Sequence, residues 1–292
     1  MKTFVRLAVA LIAISFLTNG CPQPASPPIM IAAAQGNIAK VRSLVEQGED
    51  VNTFDKGFTP LLVALQYGRI ETARFLIKSG ANVNSTETNC GLSALAFAAY
   101  GGHEEICRIL IESGAEIEAA TLPCEAWHPP HSGGDTPLIL AAINNRETIV
   151  KLLLKHGAKV DARNALGRTA IMEASFYGNT RVVEILTRGG AKVNGKDVNG
   201  GTPLIFASLK NHTGTIEALI KAGADVDLSD NEGRTPLIIA VRKGFKETVK
   251  VFIDNGADVS AQLEDGSTAL SISKKLRSTE ITQMLIEAGT TE

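Results

Sequence analysis

The sequence predicts an all-α solenoid in which short helix-turn-helix units stack side by side. A block that begins with glycine and continues with Thr-Pro-Leu or a close variant occurs seven times, and its glycines lie 34, 43, 33, 33, 33 and 33 residues apart. Aromatic residues make up only 5% of the 292-residue chain, which is typical of a stack held by close packing of small and aliphatic side chains. The seven glycines are Gly57, Gly91, Gly134, Gly167, Gly200, Gly233 and Gly266.

Each block predicts a short first helix. The threonine supplies a hydroxyl that caps the helix start, and the proline that often follows fits the first helical turn. A small pair, most often Ala-Ala, then allows close packing between neighbouring units. The proline is present in four blocks, as Pro60, Pro137, Pro203 and Pro236.

A second helix follows in every unit, as in ETIVKLLLKHGAKVD. Apolar residues at i, i+3 and i+4 predict one buried face, and the Gly-Ala pair predicts a left-handed glycine at the helix end. Such a unit cannot bury its apolar face alone, so neighbouring units must cover it. We count eight units and expect the outer two to be caps, because the first lacks the leading glycine and the last ends in polar AGTTE.

This pattern, G-x-TPL-x-x-AA followed by LL-x-x-GA-x-V-N, resembles the ankyrin repeat. The resemblance implies β-hairpin fingers between units and a concave groove lined by the ends of the first helices. We therefore assign an ankyrin-repeat domain to residues 28–292. The histidine that the family usually has after TPL is absent, and we expect apolar packing to replace the polar link that it makes between repeats.

The first twenty residues have the pattern of a secretory signal peptide. Lys2 and Arg6 precede an apolar run, Leu7–Leu17, that is shorter than the roughly 20 residues needed to cross a membrane. Gly20 and Cys21 then resemble a bacterial lipoprotein box, in which the cysteine is lipidated. Here Thr18 departs from the aliphatic residue that is usual three positions before the cysteine.

These features predict a signal peptide at 1–20, a lipidated Cys21 and a Pro-rich tether at 21–27. We expect a periplasm-facing protein anchored in the bacterial cell envelope. The lipoprotein resemblance associates an acidic residue after the cysteine with retention in the inner membrane; that residue here is Pro22, so we expect the outer membrane. The alternative is an ordinary signal peptide and a free, secreted protein.

The long spacing marks an insertion at residues 121–133, which contains the only tryptophan of the chain. Cys124 in this loop and Cys90 at the preceding finger would be neighbours in an ankyrin stack. In an oxidising compartment we expect them to form a disulfide. Because ordinary finger spacing exceeds the Cα separation of a disulfide, we expect the additional residues to let one finger reach the other.

The same loop permits two other interpretations. Cys124, His128 and His131 form C-x3-H-x2-H, a possible zinc or copper site, although no fourth ligand is at hand and a disulfide-bonded cysteine cannot bind. Trp127 is a candidate anchor for a protein partner. The remaining cysteine, Cys107, is expected to be a buried, inert thiol on the second helix of its unit.

The ends of the first helices predict a partner-binding groove. All three tyrosines of the chain lie in this register, and basic residues follow towards the C-terminus. Tyr and Arg are the types expected to anchor a partner, although large residues there could merely cover neighbouring repeats. The candidate groove residues are Tyr67, Tyr100, Phe176, Tyr177, Lys210, Arg242 and Lys243.

The sequence thus predicts a protein-binding scaffold rather than an enzyme. It has no G-x-S-x-G, phosphate loop, HExxH or dinucleotide fingerprint, and its net charge of −2 does not favour nucleic acid as a partner. We expect a monomer without cofactor, which binds another protein and meets the membrane only through its lipid anchor. The alternatives are a metal-binding or redox accessory protein that uses the 121–133 loop, and a regulatory or inhibitory subunit of a periplasmic enzyme.

Overall fold

The computed structural model describes residues 26–124 and 133–289. Within these residues the chain forms sixteen helices in eight consecutive pairs, so the predicted all-α repeat solenoid is confirmed. The first, inner helices are α1 (Pro28–Gln35), α3 (Pro60–Gln66), α5 (Ala94–Gly101), α7 (Pro137–Ile143), α9 (Ala170–Phe176), α11 (Pro203–Leu209), α13 (Pro236–Lys243) and α15 (Ala269–Lys275). The second, outer helices are α2 (Ile38–Glu46), α4 (Ile70–Lys78), α6 (Glu104–Glu112), α8 (Glu147–Lys155), α10 (Thr180–Arg188), α12 (Thr213–Lys221), α14 (Lys246–Asp254) and α16 (Thr279–Glu287).

The inner helices begin as the repeated block predicts. In six of the seven blocks, the hydroxyl before the helix accepts a hydrogen bond from the backbone N–H three residues later, which satisfies one of the free donors of the first turn. At the other end of the unit, a left-handed glycine stops the outer helix, as Gly80 does after α4 with φ of +90°. The six capping residues are Thr59, Ser93, Thr136, Thr202, Thr235 and Thr268.

The described part of the chain divides into two compact units. Among the described residues, the first consists of residues 26–124, 133–140 and 155–158, and the second of residues 141–154 and 159–289. In the first unit, α3 packs between α1 and α5, and α4 packs between α2 and α6. In the second unit, α9, α11, α13 and α15 pack in that order, as do the outer helices α10, α12, α14 and α16.

The final repeat ends the second unit with polar side chains on its inner helix. Ser271 and Lys274 of α15 are exposed, whereas Ile238 and Val241 hold the equivalent places in α13 and are buried. This difference supports the interpretation of the last repeat as a cap.

The predicted β-hairpin fingers have no strands within the described residues. Three of them contain a single antiparallel bridge, between Asp55 and Phe58, Thr86 and Ser93, and Gln262 and Thr268. Side-chain acceptors take backbone N–H groups that a longer ladder would use. Asp197, for example, accepts from the N–H groups of Asn199 and Gly201 at 2.9 and 2.7 Å, and Asp230 accepts from two backbone N–H groups of the next finger.

Apolar packing replaces the missing histidine as expected, since Leu62, Ile139 and Ile205 at its position are buried. Polar links between repeats are present at other positions. They start from the residues that join inner and outer helices. In the first unit, Arg69 Nε donates to the Ala34 carbonyl at 2.9 Å. In the second unit, Asn179 donates to the carbonyls of Ala142 and Ile143, and His212 Nε2 lies 3.1 Å from the Phe176 carbonyl oxygen. The last carbonyls of one inner helix therefore gain partners from the next repeat.

No helix among the described residues is long and apolar enough to cross a membrane. The predicted signal peptide, the predicted lipidation site Cys21 and most of the predicted tether lie outside those residues.

Candidate protein-binding surface

The groove residues of the second unit lie at the ends of three adjacent inner helices. Phe176 ends α9 and Tyr177 caps it, Lys210 caps α11, and Arg242 and Lys243 end α13. Because α9 packs against α11 and α11 against α13, the predicted sequence of aromatic and then basic residues forms one row. We call these five residues the helix-end row.

Aromatic and cationic side chains contact one another at the α9 end of the row. The Phe176 and Tyr177 rings meet edge to face, with centroids 5.2 Å apart. Lys210 Nζ lies 4.6 Å from the centroid of the Phe176 ring, a distance at which a cation is attracted to the ring face. Tyr177 nevertheless remains 37% exposed. The row therefore presents to the solvent a tyrosine ring whose orientation is fixed by its contact with Phe176.

The α13 end of the row is cationic. Arg242 and Lys243 are exposed in the last turn, where positive charge is favoured by the helix dipole. The adjacent Gly244 has φ of +72° and closes the helix. An acidic group of a partner would be attracted to Arg242 and Lys243, and no ion pair between described residues would have to break for it to bind.

In the first unit, the structure gives Tyr67 and Tyr100 different surroundings. Tyr67 caps α3 and is half-buried; burial raises the pKa of its hydroxyl, and Arg69 opposes this by a smaller amount. Tyr100 packs, together with Phe97, against a buried cluster that includes the two cysteines Cys90 and Cys124. Tyr100 therefore contributes to the core as well as to the helix end, in agreement with the alternative that large residues at this position cover neighbouring repeats.

Cys90 and Cys124 form a disulfide with a Cα–Cα distance of 4.9 Å, and both residues are buried. The two fingers are also joined by a backbone hydrogen bond of a kind that recurs along the chain. The N–H of Leu122 donates to the Cys90 carbonyl at 2.7 Å, and equivalent bonds join other neighbouring fingers, such as Val198 to Leu166. Our expectation that the additional residues let one finger reach the other stays a prediction, because residues 125–132 of the insertion lie outside the described residues.

The base of the insertion is closed by hydrogen bonds as well as by the disulfide. Thr121 N–H donates to the Asp135 carbonyl, Asp135 N–H donates to the Thr121 hydroxyl, and Gly134 N–H donates to the Thr121 carbonyl. Trp127, His128 and His131 lie outside the described residues. Cys124, which belongs to the candidate metal site, has no thiolate to offer while it is disulfide-bonded. Within the described residues, no group of three His, Cys, Asp or Glu side chains is placed to hold a metal ion.

Cys107 lies in the core on α6, and burial raises the pKa of its thiol to about 12. A thiol with so high a pKa carries almost no thiolate at neutral pH, so this residue is suited to packing rather than to chemistry.

Sequence reasoning missed four residues that lie beside the helix-end row. Arg168 stacks on the ring of Phe206, with its guanidinium carbon 4.6 Å from the centroid, and also contacts Glu173 and Asp197. Phe206 meets Phe176 edge to face at 6.2 Å. Comparing equivalent positions of all repeats would have singled out Glu173, because the other blocks have an apolar residue there.

Comparison with known proteins agrees with this architecture. A sequence model described as three copies of ankyrin repeats matches residues 12–87, 29–121, 83–164, 122–197, 171–263 and 216–291. The chain belongs to the ankyrin-repeat family. Such repeats serve typically as scaffolds for protein interaction.

Two curated relatives match short parts of this ankyrin-repeat protein. The E3 ubiquitin-protein ligase XBAT33 of Arabidopsis thaliana is 44% identical over 57 residues, which are 20% of this chain and 11% of that protein. A putative ankyrin repeat protein of Rickettsia bellii (strain RML369-C) is 48% identical over 46 residues, which are 16% of this chain and 27% of that protein. These matches are one to two repeats long.

Proposed function

We propose that this ankyrin-repeat protein is exported, is anchored by a lipid on Cys21 and binds another protein through its inner-helix ends and fingers. The observation that carries the binding proposal is the helix-end row. An exposed tyrosine is held by Phe176, and three cations follow on adjacent helices. Aromatic and arginine side chains are the types that contribute most to protein interfaces.

The partner that suits this row has an apolar or aromatic group next to an acidic segment. The apolar group would contact Tyr177 and Phe176, and the acidic segment would face Lys210, Arg242 and Lys243. Charge attraction of this kind raises the rate of association and fixes the orientation of the partner.

Export is supported by the signal-like segment and by the disulfide. Disulfides persist in oxidising compartments and are rare in a reducing cytosol. The ligase activity named for the plant relative is not part of the proposal, because the match covers 11% of that protein.

A photo-crosslinking residue at position 177 tests the binding proposal in cells that express the chain. We expect a discrete crosslinked product from this position and none from position 250, an exposed site on the outer helix α14. Tyr177→Ala should then weaken binding of the crosslinked partner by about 2 kcal/mol, or roughly thirtyfold. Identical products from both positions would exclude the helix-end row as the binding surface.

The mass of the native protein extracted from membranes tests export and anchoring. We expect a mass gain that matches acylation at Cys21 and is absent in Cys21→Ser, together with Cys90 and Cys124 that react with alkylating reagents only after reduction. A soluble protein in which both cysteines react at once would overturn the proposal of export.

A further inference from the structure

The last repeat carries an exposed leucine in register with the helix-end row. Ten residues after the glycine of its block, the row has Tyr177, Lys210 and Lys243, and the last block has Leu276. Leu276 caps α15 as Tyr177 caps α9, and it is 50% exposed. A single exposed leucine needs no explanation by itself, so the residues around it decide its meaning.

Both neighbours of Leu276 in the chain are exposed cations, Lys275 and Arg277. The stretch SKKLRS that contains all three has no acidic residue. We call Lys275, Leu276 and Arg277 the cap turn. Because α15 packs against α13, which ends with Arg242 and Lys243, the cap turn follows the helix-end row directly and extends its positive charge.

Arg277 has a backbone conformation that the other repeats give to glycine or asparagine. Its φ is +57°, in the left-handed region, where the side chain of most residues is crowded by the backbone. Glycine adopts this conformation without steric cost. An arginine here makes the fold less stable than glycine would, which points to a role other than folding. The equivalent residues of the other six blocks, all with positive φ or its asparagine equivalent, are Gly68, Gly102, Asn145, Gly178, Asn211 and Gly244.

The helix dipole does not account for Arg277. Cations near the end of a helix are stabilising, because the last carbonyl groups carry partial negative charge. Lys274 and Lys275 already lie in the last turn of α15, whereas Arg277 lies beyond the residue that caps the helix. The dipole therefore gives no reason for an arginine in a strained conformation at this position.

The fingers next to the cap turn carry the opposite charge. Glu232, Glu264 and Asp265 line a cleft between the last two fingers, and Arg242 lies at the same cleft. Acidic groups of a partner are repelled by the three carboxylates and attracted by the cations of the inner-helix ends. An acidic segment is therefore expected to follow the helix ends and not the fingers.

We propose that the cap turn is a second apolar contact for the partner segment, in which Leu276 packs on an apolar residue and Lys275 and Arg277 attract acidic residues beside it. This inference rests on the proposed function and adds the length and pattern of the segment. Packed helices lie about 8–10 Å apart, so the three steps from α9 to α15 span about 27 Å. An extended chain covers this distance in about eight residues. The segment that fits has two apolar residues about this far apart, one for Tyr177 and one for Leu276, with acidic residues between them.

Fluorescence anisotropy with labelled peptides tests this pattern. The full-length protein is titrated into a 13-residue peptide with leucine at positions 3 and 11, glutamate at positions 5, 7 and 9, and glycine or serine elsewhere. The control peptide has the same composition, with the second leucine moved to position 6. We expect the first peptide to bind about tenfold more tightly, because only its leucines reach both contacts.

Variants of the cap turn test the residues themselves. Leu276→Ser should lower the affinity for the first peptide by about tenfold, and Arg277→Gly by about threefold. The matched control is Ile286→Ser, since Ile286 is 46% exposed on the outer helix α16 of the same repeat and should not affect binding. Equal affinity of the wild-type protein for both peptides, or unchanged affinity in Leu276→Ser, would refute the cap turn as a contact.

Urea unfolding of Arg277→Gly separates a binding role from a structural one. The unfolding midpoint should stay unchanged or rise, because glycine removes the steric cost of the left-handed conformation, while the affinity for the peptide falls. A lower midpoint would show that Arg277 stabilises the last repeat, and would overturn the role assigned to it.

The two proposals fail in different ways. If the cap-turn variants bind as tightly as the wild-type protein while Tyr177→Ala binds more weakly, the cap turn is refuted and binding at the helix-end row stands. If the wild-type protein binds neither peptide, the inferred length and pattern of the segment are wrong. Crosslinking from position 177 would still decide the proposed function in that case.

Discussion

Removal of the Cys90–Cys124 disulfide should cost the protein about 4 kcal/mol of unfolding free energy. The two cysteines are 34 residues apart in the chain. For a closed loop of this length, the chain-entropy relation gives a loss of unfolded-state entropy of about 12.6 cal/mol/K, which stabilises the folded protein by about 3.8 kcal/mol at 25 °C. The closed loop contains α5 and α6, so the loss should be confined to the repeats next to it, since stability in repeat proteins is a sum of nearest-neighbour terms.

Urea unfolding of the oxidised and reduced protein measures this loss. Hydrogen exchange on the same samples should show faster exchange in α5 and α6 and little change in α13 and α14. The double variant Cys90→Ala/Cys124→Ala is the control, because reductant should not alter its unfolding midpoint. The reasoning is refuted if reduction frees both thiols and the midpoint and exchange rates of the wild-type protein stay the same.

Three further predictions concern single residues. Glu87→Ala should lower the free energy of unfolding in urea by about 1–3 kcal/mol, because the buried carboxylate accepts hydrogen bonds from the N–H groups of Asn89, Cys90 and Leu92. Glu112→Ala, which changes an exposed carboxylate of α6, is the control and should leave this free energy unchanged. Tyr100→Ala should lower the urea midpoint more than Tyr177→Ala, since only Tyr100 packs on the buried disulfide cluster, and equal losses would contradict this difference. Cys107 should resist iodoacetamide at pH 9 until the chain unfolds, because burial raises the pKa of its thiol to about 12; mass spectrometry that finds rapid alkylation of the folded protein would show that the thiol is accessible.

The helices could be predicted from the sequence because their signals are local. Thr59 and Pro60 define the start of α3 within two residues, and Gly80 defines the end of the following helix. The helix-end row was also predictable, since a period of 33 residues places Tyr177, Lys210 and Lys243 at equivalent points.

The contacts around Arg168 could not be predicted in the same way. Arg168 contacts Phe206 and Asp197, which belong to the next repeat. These contacts depend on the distance and angle between neighbouring repeats, which the sequence of a single repeat does not specify. That the Thr169 hydroxyl does not cap α9 is likewise invisible in the sequence, where Thr169 looks like any other capping residue. The exception at Glu173 was visible in the register of the blocks, but its burial was not.

The closed base of the insertion makes this site suitable for grafting foreign peptides. A sequence placed between Cys124 and Gly133 would start and finish at points fixed by Thr121, Asp135 and the disulfide. The entropic cost of closing a flexible loop grows only slowly with its length, by about 0.6 kcal/mol for each doubling, so the length of the graft could vary at little cost. An epitope or a receptor-binding peptide displayed there would be constrained at both ends without redesign of a helix.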